Sequence, residues 1–229
     1  FAARWPTFGV APETQALLRR LVEAGEVDAL VPERVWQELA RGLMEPRPSR
    51  MLQVLADCGA WPRLLPGLAV SDEPGRLLDI AAARAAPLAV RYALLAPGQA
   101  ALAERLKVPN EPRELAVLLA REGALLPQGH RLEAAALLDL LERCDAFRRP
   151  DRFADLLQAG HCRAIAGGHP AEQPWPPALA LADALARARA VDTARVAARA
   201  AAGGAHGPAI GAAIHAARVA AISAATAAA

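Results

Sequence analysis

The sequence predicts an all-α fold, an elongated array of short antiparallel helices. Three observations predict it. Ala, Leu, Arg and Glu, all good helix formers, dominate the chain. No stretch keeps the period-two alternation of a half-buried strand, whereas apolar residues recur at helical spacing through most of the length. Proline and glycine fall between those periodic stretches, where helices start and stop. At 54% hydrophobic the chain can bury a core, but much of that is alanine and only 4% is aromatic, so a thin core is expected.

The elements follow in order. After Pro12 a helix over 13–24 puts Leu17, Leu18, Leu21 and Val22 inward and stops at Gly25. The next, over 32–44, opens on Pro32, where a first turn tolerates a missing N–H, with Glu33 suited to the helix dipole. Val35, Trp36, Leu39 and Leu43 share one face of it, and Arg34, Glu38, Arg41 and Glu45 line the other. A third helix over 48–58 turns Met51, Leu52, Val54 and Leu55 inward, with Gly59 as its stop. Trp61-Pro-Arg-Leu-Leu-Pro-Gly67 reads as a prolyl turn, and 71–75 as a linker.

Helices resume over 76–85, 88–95 and 98–107, and another opens with Asn110 as its N-cap and Leu115, Leu118 and Leu119 as its apolar stripe. One more covers 131–144 and the next begins at Pro150. Gly167-Gly-His-Pro170 and Pro174-Trp-Pro-Pro177 mark a second break. Helices over 177–189 and 192–202 follow, then a last one from Pro208 into an alanine-only end that is expected to fray.

The formal charge of +2 is only mildly basic. Lys107 is the single lysine; arginine's fork suits phosphate, but net charge alone identifies no nucleic-acid binder. Cys58, Cys144 and Cys162 have no metal-ligand spacing and read as core residues in a reducing cytosol. No secretory signal or membrane-spanning run is seen, so a cytoplasmic protein is expected. The chain starts at Phe1 without methionine, which reads as an interior point of a longer protein.

The sequence carries no recognisable catalytic motif. His130, His161, His169, His206 and His215 form neither His-x-x-x-His nor a His-Asp pair. There is no Asp-x-Asp to hold magnesium, no glycine-rich phosphate loop and no nucleophile elbow. Asp139, Glu142 and Asp145 read as helical surface charges, so no catalytic or metal-binding residue is assigned. Arg148, Arg149 and Arg152 bracket the helix start at Pro150, where an amino terminus with flanking arginines can hold an RNA phosphate. The alternative at that position is a surface pair of Arg152 with Asp151 or Asp155.

Several stretches together resemble the bacterial CCA-adding enzymes, the class II tRNA nucleotidyltransferases of the multifunctional CCA protein type. They are Phe1-Ala-Ala-Arg-Trp, Pro12-Glu-Thr, Glu33-Arg-Val-Trp-Gln-Glu-Leu, and Asp57-Cys-Gly-Ala with Leu64-Leu-Pro66. Arg105-Leu-Lys-Val-Pro-Asn-Glu111 and Asp145-Ala-Phe-Arg-Arg-Pro-Asp-Arg152 continue the match in order, and it fades after 165. The resemblance implies neck helices over 1–68, a helical body over 69–150 and tail helices over 151–229. It also implies a catalytic head, missing from this chain, that would hold Mg2+ with CTP and ATP; this chain itself is expected to bind no cofactor. Glu33, Arg34 and Glu38 are similar to the neck motif that supports the nucleotide-reading region, which implies a docking role for the charged stripe; on pattern alone the alternative is a solvated outer face. Tyr92-Ala-Leu-Leu-Ala-Pro-Gly98 stands where such enzymes often carry a His-Asp phosphohydrolase pair, so phosphatase activity is not expected.

The implied function is to hold tRNA and support the head while CCA is added to tRNA 3′ ends, and the isolated chain is expected to be inactive. The implied partners are tRNA and the head, in the same chain or in trans, and no membrane. Two alternatives stay open on sequence alone: a stand-alone helical RNA-binding module, and an inactive truncated product.

Overall fold

The computed structural model describes residues 1–226, and the alanine-only stretch beyond them, where fraying is expected, lies outside the described residues. Among the described residues there are thirteen α-helices and no strand. In order they are α1 (Pro12–Glu23), α2 (Pro32–Met44), α3 (Pro48–Asp57), α4 (Trp61–Leu64), α5 (Asp72–Ala83), α6 (Leu88–Leu95) and α7 (Ala100–Arg105). Then come α8 (Asn110–Glu122), α9 (Ala134–Arg143), α10 (Pro150–Ala166), α11 (Pro176–Ala190), α12 (Thr193–Ala202) and α13 (Pro208–Thr226). None of the described helices is long and apolar enough to cross a membrane.

The chain divides into two compact units, Phe1–Gly123 with Asp155–Ala171, and Ala124–Ala154 with Glu172–Ala229. The first unit packs around α6. Its octet Leu88-Ala-Val-Arg-Tyr-Ala-Leu-Leu95 is apolar except for one arginine and one phenol, and every residue from Ala89 to Leu95 is buried. Helices α2, α5 and α8 pack against it. Leu78, Leu115 and Leu119 are fully buried there, each contributing about 1.5–3 kcal/mol by leaving water. The rings of Tyr92 and of Trp36 in α2 meet in a T-shape, centroids 5.4 Å apart at 86°.

Arg91 joins α6 to the end of α2. Its Nε donates to the Ala86 carbonyl at 2.8 Å, and its Nη1 to those of Leu43 at 2.7 Å and Glu45 at 3.2 Å. A helix leaves its last carbonyls without intrahelical partners, and its carboxy terminus carries partial negative charge. A buried guanidinium satisfies both needs at once.

Several sequence expectations are corrected here. The linker expected over 71–75 is the first turn of α5: Ser71 stands just before it and Gly75 is buried inside it. Gly75 serves packing instead of flexibility, because a Cβ there would lie 3.1 Å from the Ser49 Cβ of α3. The stretch read as a prolyl turn holds the helical turn α4, whose Trp61 is buried and donates its indole N–H to the Leu68 carbonyl at 3.1 Å. Helix α1 buries no residue, and Leu17 and Leu21 are 46% and 40% exposed. The apolar stripe of α1 is wider than the surface it covers, so Leu18 and Val22 are half-buried while Leu17 and Leu21 face out. Asn110 is the first helical residue and Pro109 the cap, and the Asn110 side chain accepts from Arg113 at 2.6 Å.

Glycine stops are placed as expected, with Gly25 at φ 80° and Gly59 at φ 77°. Gly98, after α6, combines φ 72° with a position where a Cβ would meet the Ala120 Cβ at 2.9 Å. Gly98→Ala is expected to cost about 1–3 kcal/mol from left-handed strain and overlap together. A urea unfolding midpoint equal to wild type would contradict that.

In the second unit α9 buries Leu137, Leu138, Leu140 and Leu141, and packs against α11 and α13. Helix α11 answers with Leu181, Ala184, Leu185 and Ala188. Asp192 caps α12 by accepting from the Arg195 N–H at 2.9 Å. The first turn of α10 belongs to this unit and the rest of α10 to the other.

Candidate RNA-binding surfaces

The first candidate surface lies on α2 and its surroundings. Trp36, Leu39 and Leu43 are buried and Val35 is half-buried, so the helix turns its opposite side outward. Glu33, Arg34 and Glu38 line that outward side, and all three are exposed. Glu38 pairs with Arg41 at 2.7 Å, with both side chains more than 70% exposed (73% and 72%). Such a pair contributes about 0.3–0.5 kcal/mol, too little to explain the stripe by stability. Glu45 leaves the stripe: it is half-buried and accepts from Arg4 at 3.1 Å. The same region exposes large apolar side chains, among them Trp5, Phe8, Leu17, Leu30 and Val31. Acidic and basic side chains are interspersed through this region, so any RNA affinity there depends on where the arginines stand and not on net charge.

The second candidate surface is the turn from α9 into α10. Asp145, at φ 55°, reverses the chain after α9 and turns its carboxylate toward the arginines. Arg148 forks onto that carboxylate, Nε at 3.0 Å and Nη2 at 3.0 Å, while its side chain stays 81% exposed. Arg152 is different. It is 17% exposed, donates to the Cys144 carbonyl at 3.1 Å and lies 3.7 Å from Asp145. It thus holds the end of α9 to the start of α10. Arg149 is exposed beside Pro150, the first residue of α10. The structure therefore separates the three arginines: Arg148 and Arg149 are exposed near a helix amino terminus, and Arg152 holds the turn. Pairing does occur at this cluster, with Asp145 as a partner of both Arg148 and Arg152.

Sequence reading missed the buried and half-buried polar groups that tie the first unit together. Arg91 had one signal, a lone charge within an apolar octet. The Asp79 carboxylate had none: across thirty residues it accepts from the Ser49 N–H at 3.1 Å and Oγ at 2.7 Å, and from Arg47 at 3.0 Å. An anion placed there suits the first turn of α3. Arg84 bridges the Ala171 carbonyl at 3.0 Å and His161 Nδ1 at 3.2 Å.

Residues 92–98, where the resemblance would set a His-Asp pair, are mostly core. Tyr92 to Ala96 are buried, and Leu94, Leu95 and Pro97 line a concavity of about 510 Å³ with Arg76 and Arg163. All three cysteines are buried thiols. Burial pushes the Cys162 thiol up to about 11, although the charges of Arg84 and Arg91 oppose the shift. Ellman's reagent at pH 8 is expected to label Cys162 only on unfolding, since the thiolate is the nucleophile. Stoichiometric labelling of Cys162 in the native chain would contradict this.

These geometries define an all-helical chain with two arginine-bearing surfaces. Residues 7–71, which include the α2 stripe, match the family described as the probable RNA and SrmB-binding site of polymerase A. The chain is 45% identical over 236 residues to the multifunctional CCA protein of Burkholderia pseudomallei (strain K96243), covering 86% of this chain and 57% of that protein. It is 46% identical to the multifunctional CCA protein of Leptothrix cholodnii over 236 residues, 86% of this chain and 56% of that one. The relative in Burkholderia cenocepacia (strain HI2424) is 46% identical over 238 residues, with 86% and 57% covered. No solved structure matches the chain. The chain is therefore similar to multifunctional CCA proteins along most of its own length, and it spans a little over half the length of the curated relatives it matches.

Proposed function

We propose that this chain is the tRNA-holding and head-supporting part of a tRNA nucleotidyltransferase that adds CCA to tRNA 3′ ends from CTP and ATP. The observation that carries this reading is the similarity along 86% of the chain to proteins named for CCA, with an RNA-binding family match over the residues bearing the α2 stripe. The head supplies the chemistry, with Mg2+ and the nucleotides. Among the residues of this chain, Glu33, Arg34 and Glu38 brace the head, and Arg148 and Arg149 meet tRNA phosphates. Arg152 acts one step behind, by fixing the turn that presents them. Binding through backbone phosphate suits a substrate class that shares shape more than sequence.

A chimera tests this reading. The matching portion of the Burkholderia cenocepacia relative is replaced by this chain, and labelled CTP and ATP incorporation into tRNA is measured. CCA addition is expected from the chimera and none from this chain alone. A folded, tRNA-binding chimera that adds no nucleotide would contradict the head-supporting role. Within an active chimera, Arg34→Ala or Glu38→Ala is expected to lower the addition rate several-fold with tRNA affinity unchanged. Wild-type rates in both would make the stripe a solvated face.

A further inference from the structure

Helices α9 and α13 pack against one another, and where they meet they carry three side chains of metal-ligand type. Asp139 and Glu142 stand three apart on α9 and so project from the same side of that helix. His215 reaches them from α13. One donor atom from each lies within 4.8 Å of the other two. His215 Nδ1 is 3.8 Å and Arg218 Nη1 4.0 Å from Glu142 Oε1, both beyond hydrogen-bond length. Arg218 is meanwhile seated over the Phe147 ring, 4.1 Å from its centroid. The His215 imidazole thus faces the Glu142 carboxylate at a distance that leaves room for an ion between them, while the Arg218 guanidinium, which cannot be a ligand, flanks the same carboxylate.

We propose that Asp139, Glu142 and His215 form a divalent-cation site that ties α13 to α9. One imidazole with two carboxylates suits a borderline first-row ion such as Zn2+; Mg2+ and Ca2+ favour oxygen alone. Bonds of about 2.0–2.2 Å set donors about 3.4 Å apart in a tetrahedral site, so the observed spacing closes by about 1.4 Å at most. Rotation of the two exposed carboxylates covers that distance without moving either helix. Three protein ligands leave a fourth position for water. The ligands stand on helices whose inward sides are fixed by Leu138, Leu141 and Ile222, so the backbone geometry exists before the ion arrives.

Calorimetric titration of the metal-free chain with zinc chloride tests the site, alongside NMR of the imidazole resonances. The expected result is one saturable equivalent per chain, with the His215 resonances shifted. His215→Ala, Glu142→Gln and Asp139→Asn are each expected to weaken it at least about tenfold, with unchanged far-UV circular dichroism. His206→Ala, on an exposed histidine of the same unit outside the cluster, is expected to bind as wild type. No saturable binding, or binding unchanged in His215→Ala, would overturn the proposal. Zinc taken up at His161 and His169, whose rings lie 5.4 Å apart, would show as that second result.

Discussion

Arg91→Ala is expected to lower the unfolding free energy of the chain by about 3–5 kcal/mol, a substantial share of the stability a single domain has. The guanidinium is buried, and its bonds run to the carbonyls of Leu43, Glu45 and Ala86. Removing it leaves those carbonyls short of a donor, at about 1–3 kcal/mol for each one left unsatisfied and buried. It also empties the space of the alkyl stem and removes the charge that complements the end of α2. Burial pushes the Arg91 pKa below its usual value, yet an arginine keeps its proton, so the charge is present at any working pH. Arg91→Lys is expected to recover only part of the loss, because one ammonium replaces a planar fork reaching three acceptors. Urea unfolding followed by the fluorescence of Trp36 and Trp61 measures both variants. A change below about 1 kcal/mol in Arg91→Ala would show that water replaces the guanidinium without penalty.

The second large effect is expected in RNA binding. The double variant Arg148→Ala, Arg149→Ala is expected to weaken every tRNA alike by about tenfold or more near 0.15 M salt. It is also expected to reduce the salt slope by roughly 0.7–0.9 for each phosphate that is no longer neutralised. Arg152→Ala has a different signature. Because Arg152 holds the Cys144 carbonyl and lies beside Asp145, its loss is expected to reduce stability while leaving the salt slope near wild type. Binding curves at several salt concentrations separate the two behaviours. An unchanged slope in the double variant would make the cluster a surface ion-pair network around Asp145.

How legible the chain was depended on whether the information was local. Helix starts at Pro12, Pro32, Pro48, Pro150 and Pro208 and stops at Gly25 and Gly59 were readable, because proline and glycine act on their own backbone. The buried side of α2 was readable from helical spacing. Glycine misled at Gly75, where close approach of α3 and not chain reversal requires it, and only the packed structure shows that neighbour. The stripe of α1 misled because periodicity gives a face but not the extent of the surface that covers it. The centre of the first unit was not legible: α2 carries the clearest pattern, whereas α6, apolar but for Arg91 and the Tyr92 phenol, has almost no pattern and is the helix buried among the others. The neck stripe and the arginines at Pro150 were visible in sequence. The separation of Arg152 from its two neighbours was not, because it depends on Asp145 turning back across α9.

The most direct measurement is the affinity of this chain for labelled tRNA by fluorescence anisotropy at about 0.1 M salt, with unlabelled competitors. The expected result is saturable binding that any tRNA displaces alike, that duplex DNA of equal charge displaces poorly, and that weakens steeply with salt. No saturable binding, or equal displacement by tRNA and duplex DNA, would contradict a tRNA-holding role.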